Sequence, residues 1–301
     1  MTDLTIVDVA AGGPKGAPTA GRTPRRLKRL LRRFARRRIV ILGTTLALVQ
    51  ISIAAMAPLL ARYGPTTQNY DAVLQAPGWP HPMGTDDLGR DILSRLIYGA
   101  RVSLVVSIGA VLSALGIGGA LGLIVGYIGG RLDDVVMRIV DSLIAIPPLV
   151  LALLIAGVLA SGLEGAMFAI AAVAIPTYTR LMRGQVLSVR QTGYVTAVVA
   201  NGAGLPRILV RHVLPNAVNP LIVQASLGIG AAIITESSLS FIGLGAQPPT
   251  PTWGSMVQIG FQYLESAPWL VLSPAIMIFL AVLGFNLLGD GLRDALDPSL
   301  G

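Results

Sequence analysis

Two histidines, no cysteine and few carboxylates are all that this 301-residue chain offers for chemistry. Without cysteine there is no disulfide, thiolate metal site or thiol nucleophile. His81 stands beside the richest acidic cluster, in HPMGTDDLGRDILSRLIYGARVSL at 81–104. His and Asp scattered through a loop without a facial ligand set form turns and caps rather than a metal centre. Asp86 or Asp87 is expected to cap a helix starting near Leu88, with Asp91 and Arg95 pairing at i,i+4. Glu236, in ITESSLSFIGLG, is nearly alone as a carboxylate within an apolar segment. Such a group is a functional candidate by default, although near a segment end it reaches water or an arginine of the 62–101 stretch. No Gly-x-x-x-x-Gly-Lys-Ser/Thr occurs, so nothing here cradles a nucleotide phosphate. The expectation is a chain that is not an enzyme and binds no metal or cofactor of its own.

A different kind of chemistry, polar docking, is suggested by YVTAVVANGAGLPRILVRHVLPN at 194–216. It carries Arg207, Arg211 and His212, is broken by Gly202, Gly204 and Pro206, and has membrane-length apolar segments on both sides. It reads as a short helix, a glycine bend and a second helical piece at the end of a membrane bundle. A structured polar insert where a span would simply turn round is a docking surface.

The elements that hold these residues are apolar. The chain is 53% hydrophobic and 13% charged, whereas a soluble domain is about a quarter charged. Hydropathy gives six spans, near 39–61, 102–128, 137–160, 165–188, 217–241 and 268–289, each near the ~20 residues that cross a bilayer. Pro176 and Arg180 interrupt the fourth. Pro147-Pro148 is expected to kink the third, freeing carbonyls that neighbours must satisfy. In the second, Gly118, Gly122 and Gly126 recur at the four-residue spacing that lets membrane helices approach closely. Asp141, at the mouth of the third, is expected to pair with a nearby arginine.

The net charge of +8 is local rather than a nucleic-acid footprint: residues 1–38 hold eleven Lys/Arg against Asp3 and Asp8, and the other 263 residues sum to −1. With the amino end inside, nineteen basic residues fall on the inner side and four (Arg62, Arg90, Arg95, Arg101) on the outer side. The positive-inside rule then puts both termini and the 194–216 loop in the cytosol. The arm RRLKRLLRRFARRR is a basic stop for the first span or an interfacial helix on anionic lipid. It is not a cleaved signal, because the apolar run that follows is too long for one.

The 194–216 segment resembles the cytoplasmic loop of ATP-binding cassette (ABC) importer permeases. Gly202 and His212-Val213-Leu214-Pro215 fall at that family's spacing, and Thr196-Ala197-Val198 stands where Glu-Ala-Ala is usual. His81, Gly84, Thr85, Asp86, Gly89, Arg90, Asp91, Ser94 and Arg95 resemble the external signature of the branch serving dipeptides, oligopeptides and nickel. ESSLSFIGLGAQPPTPTWG at 236–254 and NLLGDGLRDALDP at 286–298 resemble the same branch. The likeness runs from about 39 to 298, with Ile175 where a tryptophan is common.

The resemblance implies an all-α, six-span permease of the type I importer fold. It divides the chain into an arm (1–38), a first transmembrane helix (39–61), an external loop (62–101) and a five-helix core (102–298) with a coupling loop at 190–216. It implies that Thr196, Ala197, Ala200, Gly202, Gly204, Arg207, Arg211, His212 and Pro215 couple to a separate ATPase subunit. His81, Asp86, Arg90, Asp91 and Arg95 would face an extracytoplasmic substrate-binding protein. The implied partners are a homologous second permease, two nucleotide-binding subunits that hold ATP and Mg, that binding protein and membrane lipid. The implied cargo is a dipeptide or oligopeptide, with nickel or another small solute as the alternative. An intramembrane enzyme would need clustered histidines or paired in-span carboxylates, and a self-contained carrier would need mid-span charges or an inverted repeat. A tethered DNA-binding module at 197–215 would be crowded out by its flanking spans.

Overall fold

The computed structural model describes residues 38–159 and 162–296. Residues 1–37 of the basic arm, and Asp297 and Pro298, lie outside them. Nine main helices run in chain order: α1 (Arg38–Ala55), α2 (Ile92–Ile128), α3 (Gly130–Ile144), α4 (Pro148–Val158), α5 (Leu163–Arg190), α6 (Gly193–Ala200), α7 (Asn219–Phe241), α8 (Trp253–Phe261) and α9 (Trp269–Leu296). Among the described residues there is no strand, only a lone bridge between Thr85 and Asp91.

Four helices, α2, α5, α7 and α9, are long and apolar enough to cross a membrane, and α3 with α4 makes a fifth if the bent pair is one span. The axes of α3 and α4 differ by 96°. The break falls at 145–147, because proline cannot donate the helical N–H and disfavours helix in the residue before it. The kink expected at Pro147-Pro148 is therefore a corner. The apolar stretch 39–61 forms α1 plus a single turn, Ala57–Leu60. The second span starts ten residues earlier than its hydropathy suggested, because residues 92–101, which carry Ser94, Arg95 and Arg101, belong to the same 37-residue helix. Conversely, α5 runs unbroken through Pro176 and Arg180.

Packing follows the small residues. A side chain at Gly118 would lie 2.6 Å from the Ile175 carbonyl oxygen, and one at Gly126 would lie 3.1 Å from the Arg183 backbone. Gly122, between them, meets Thr179 in the same way. In a bilayer, where lipid is as apolar as leucine, such close backbone approach supplies the attraction between helices.

Three apolar clusters lie along the bundle. One joins α1, α2, α7, α8 and α9 around Trp253 and Phe285. The next joins α2, α4, α5 and α7 around Tyr178 and Leu239. The last seats 195–217 on the ends of α2, α5 and α7 through Met182, Val195, Leu209 and Leu221. The 62–91 loop and the 191–218 segment therefore occupy opposite ends of α2.

Candidate coupling surface and the loop that opposes it

The segment after α5 folds as a rigid elbow. Its first arm is α6. Asn201–Gly204 turns the chain, with Gly202 at φ +76°, a region costly for residues with a Cβ. The second arm is continuous from Leu205 to Ala217: a helical turn, a π-helical Ile208–Val213, then Leu214–Ala217. The wider π turn lets proline follow at 215 while the helix continues, and such turns are common at functional positions. Val195, Ile208, Leu209, Val213 and Ala217 anchor the elbow in the bundle. The Tyr194 hydroxyl donates to the His212 carbonyl at 3.2 Å, tying the two arms together, and the Asn216 amide donates to the same carbonyl from within the second arm at 2.8 Å.

The structure gathers the residues singled out in this stretch. Thr196, Ala197, Ala200, Gly202, Gly204, Arg207, Arg211 and Pro215 are exposed, and His212 is half-buried. Among the described residues, Arg207 and Arg211 have no acidic partner. Sequence reasoning missed Val199, Leu205 and Val210, which are exposed among these polar groups, Val210 by 63%. Hydropathy hides them, because they resemble the spans on either side. Their signal is an apolar residue out of phase with the buried positions 195, 208, 209 and 213.

The 62–91 loop has the opposite character. His81, Asp86, Arg90, Asp91 and Arg95 are all buried, each under one tenth exposed. Asp86 Oδ1 accepts the N–H groups of Leu88 and Arg90, at 3.0 and 2.9 Å, which closes a tight turn rather than starting a helix. Its Oδ2 takes Arg90 Nε at 2.6 Å and faces Arg95 Nε at 3.3 Å. The helix cap is Asp91, not Asp86 or Asp87: its Oδ2 accepts the N–H and the hydroxyl of Ser94, at 2.8 and 2.7 Å. Nor does Asp91 pair with Arg95. Its other oxygen holds His81 Nδ1 at 2.9 Å, and Arg95 Nη1 reaches back to the Pro65 carbonyl at 2.9 Å. An N-cap carboxylate turned toward its own first turn is poorly placed for the i,i+4 side chain. Outside this network Trp79 is 83% exposed, with the Arg62 guanidinium 4.6 Å above its ring.

Glu236 is buried and, among the described residues, pairs with no arginine. It is 2% exposed in α7, where Oε1 accepts from Ser240 at 2.8 Å and Oε2 from Ser237 at 3.5 Å. Ser103 of α2 is a third hydroxyl neighbour. The serines, one adjacent, one a helical turn on and one from another helix, provide the polar contact expected of an arginine. Asp141 does take an arginine, Arg180 of α5.

The described residues therefore present an exposed polar elbow at one end of an apolar helical bundle. Residues 118–301 match the family model described as the binding-protein-dependent transport system inner membrane component. The chain belongs to that family, and is a membrane protein of it. Residues 26–77 match the N-terminal TM domain of oligopeptide transport permease C. Against the dipeptide transport system permease protein DppC of Alkalihalophilus pseudofirmus, identity is 46% over 263 residues, 87% of this chain and 86% of the relative. Against DppC of Haemophilus influenzae it is 42% over 287 residues, covering 93% and 97%. Against the glutathione transport system permease protein GsiD of Pectobacterium atrosepticum it is 43% over 280 residues, covering 93% and 92%. Among solved structures, the inward-facing MetNI methionine ABC transporter aligns with a TM-score of 0.56 at 21% identity, over 68% of this chain and 98% of that one. That alignment carries the fold.

Proposed function

We propose that this chain is a permease subunit of an ATP-driven peptide importer: it forms half of a translocation pathway and couples it to a separate ATPase. The observation that carries the coupling role is the elbow, whose arginines and apolar side chains are exposed and unmatched while its other face is fixed in the bundle. In this reading the elbow lies in the cytosol and inserts in a groove of the nucleotide-binding subunit. When two such subunits close on ATP and Mg, the elbow is displaced and the bundle tilts between inward-open and outward-open states, a population shift driven by differential contacts. The chain itself performs no chemistry. Its six crossings are α1 with its following turn, α2, the α3–α4 pair, α5, α7 and α9, with both termini in the cytosol.

The dipeptide and glutathione names of the relatives support a small peptide as cargo. In the 62–91 loop, His81, Asp86, Arg90, Asp91 and Arg95 act from within, holding the shape of a surface that receives the binding protein. The Gly118, Gly122 and Gly126 stripe fixes α2 to α5, so the two move together.

Purification from detergent with its partners tests the class. The expected complex holds one similar permease, two ATPase subunits and a captured binding protein carrying a peptide. A metal ion in that binding protein would replace peptide by nickel-type cargo. A chain that purifies alone and still supports uptake would refute the importer reading in favour of a self-contained carrier.

A further inference from the structure

Arg180, Arg183 and Arg190 of α5 lie at i, i+3 and i+10, within one stripe about 80° wide at ~100° per residue. Each reaches out of the helix to a different support. Arg183 grips Asp133 with both arms, Nε to Oδ1 and Nη2 to Oδ2, each at 2.5 Å. Asp133 is the buried carboxylate in the first turn of α3. Arg180 pairs with Asp141 in the last turn of the same helix, where both side chains are about half exposed. Arg190 Nη1 donates to the carbonyls of Gly126 and Tyr127, both at 3.1 Å. Those are among the acceptors that the end of α2 leaves unsatisfied, and a cation there also meets the negative end of the helix.

Three residues past Arg190 the elbow begins with α6. Beyond the far end of α3 lies the 96° corner into α4, which packs through Ala152 and Ala156 into the middle of the bundle. The bidentate pair has a directional geometry that resists sliding as well as separation. A single surface ion pair such as Arg180–Asp141 contributes little, so the constraint on α3 centres on Asp133–Arg183.

We propose that the Asp133–Arg183 pair is a positioning clamp for coupling: it makes α3 follow α5, so that a displacement entering at the elbow is carried round the corner to α4. This rests on the reading of the elbow as the ATPase attachment. Without the clamp, α5 would move while α3 stayed behind, and hydrolysis would proceed without an equivalent change in the pathway.

The test uses the complete importer in proteoliposomes, with binding protein and a labelled peptide, and reads ATP hydrolysed per peptide imported. Asp133→Ala is expected to raise that ratio about tenfold, within the usual span of coupling factors, with the ATPase subunits still bound. The reversed pair Asp133→Arg/Arg183→Asp should bring the ratio back toward the parent value. Because the chain has no cysteine, Asp133→Cys/Arg183→Cys joined by a short reducible bis-methanethiosulfonate bridge gives an independent arm. Coupling should be high when the pair is bridged and low after reduction.

A parental ratio in Asp133→Ala would overturn the proposal. So would uptake and hydrolysis falling together in proportion to lost folded permease, with no effect of the bridge, since that marks a brace and nothing more. The elbow reading fails differently: Arg207→Glu and Gly202→Val would then leave ATPase retention and coupling untouched, whatever Asp133 variants do.

Discussion

The 62–91 loop and the 193–217 elbow are both charged, and both interrupt an apolar chain, yet they dispose of their charges in opposite ways. The loop turns them inward. His81, Asp86, Arg90, Asp91 and Arg95 satisfy one another and the cap of α2 beneath a surface carrying Trp79 and Arg62. The elbow turns Arg207 and Arg211 outward, beside exposed Val199, Leu205 and Val210. Under the proposed function the difference is that between scaffold and interface: internally matched charge stabilises shape, and unmatched charge beside apolar surface is the part offered to an ATPase subunit.

The comparison breaks first, and hardest, at Asp86. Asp86→Ala leaves Arg95 without its buried carboxylate and Arg90 with Asp87 alone, and is expected to cost about 3 kcal/mol. Thermal unfolding of the detergent-solubilised protein would measure it; an unchanged midpoint would mean that the network contributes nothing to the loop. Gly202→Val comes next. A β-branched residue at φ +76° costs about 1–2 kcal/mol of backbone strain and re-aims one arm of the elbow. The spans should insert normally while uptake is largely lost, so normal uptake would show that the bend angle does not matter.

Arg207→Glu with Arg211→Glu sharpens the contrast from the other side. Retention of the ATPase subunits should weaken in a salt-dependent way, as it does when interfacial charge is reversed, with no loss of thermal stability. The smallest effect belongs to Arg207→Ala, expected to stay within about 0.5 kcal/mol of the parent in stability. A large destabilisation there would place Arg207 with the scaffold and erase the distinction.

Much of this was legible in the sequence, and the reasons are specific. The Gly118, Gly122 and Gly126 spacing announced a close helix contact and meets Ile175, Thr179 and Arg183. Pro147-Pro148 announced a break, though not that it would turn a corner. The glycines and Pro206 announced the elbow. What stayed hidden depends on contacts across long separations. Arg183 lies 50 residues from Asp133 and Arg180 lies 39 from Asp141, so no local spacing joins them. Glu236 looked destined for water or an arginine because it lies near the end of its apolar segment, whereas Ser103 arrives from another helix. Asp86, Asp87 and Asp91 are equally good caps by residue type. Only the turn that Asp86 closes on Leu88 and Arg90 leaves the role to Asp91.

The 37 residues of α2 make a rod roughly 55 Å long at 1.5 Å per residue, against a hydrocarbon layer of roughly 30 Å. Nearly half of it has to stand clear of the lipid tails or lean steeply through them. The polar first turns, with Ser94, Arg95 and Arg101, mark the end that emerges, so the 62–91 loop is mounted on a mast. Any tilt of the rod swings the 62–91 loop at its tip through a wider arc than the bundle beneath it.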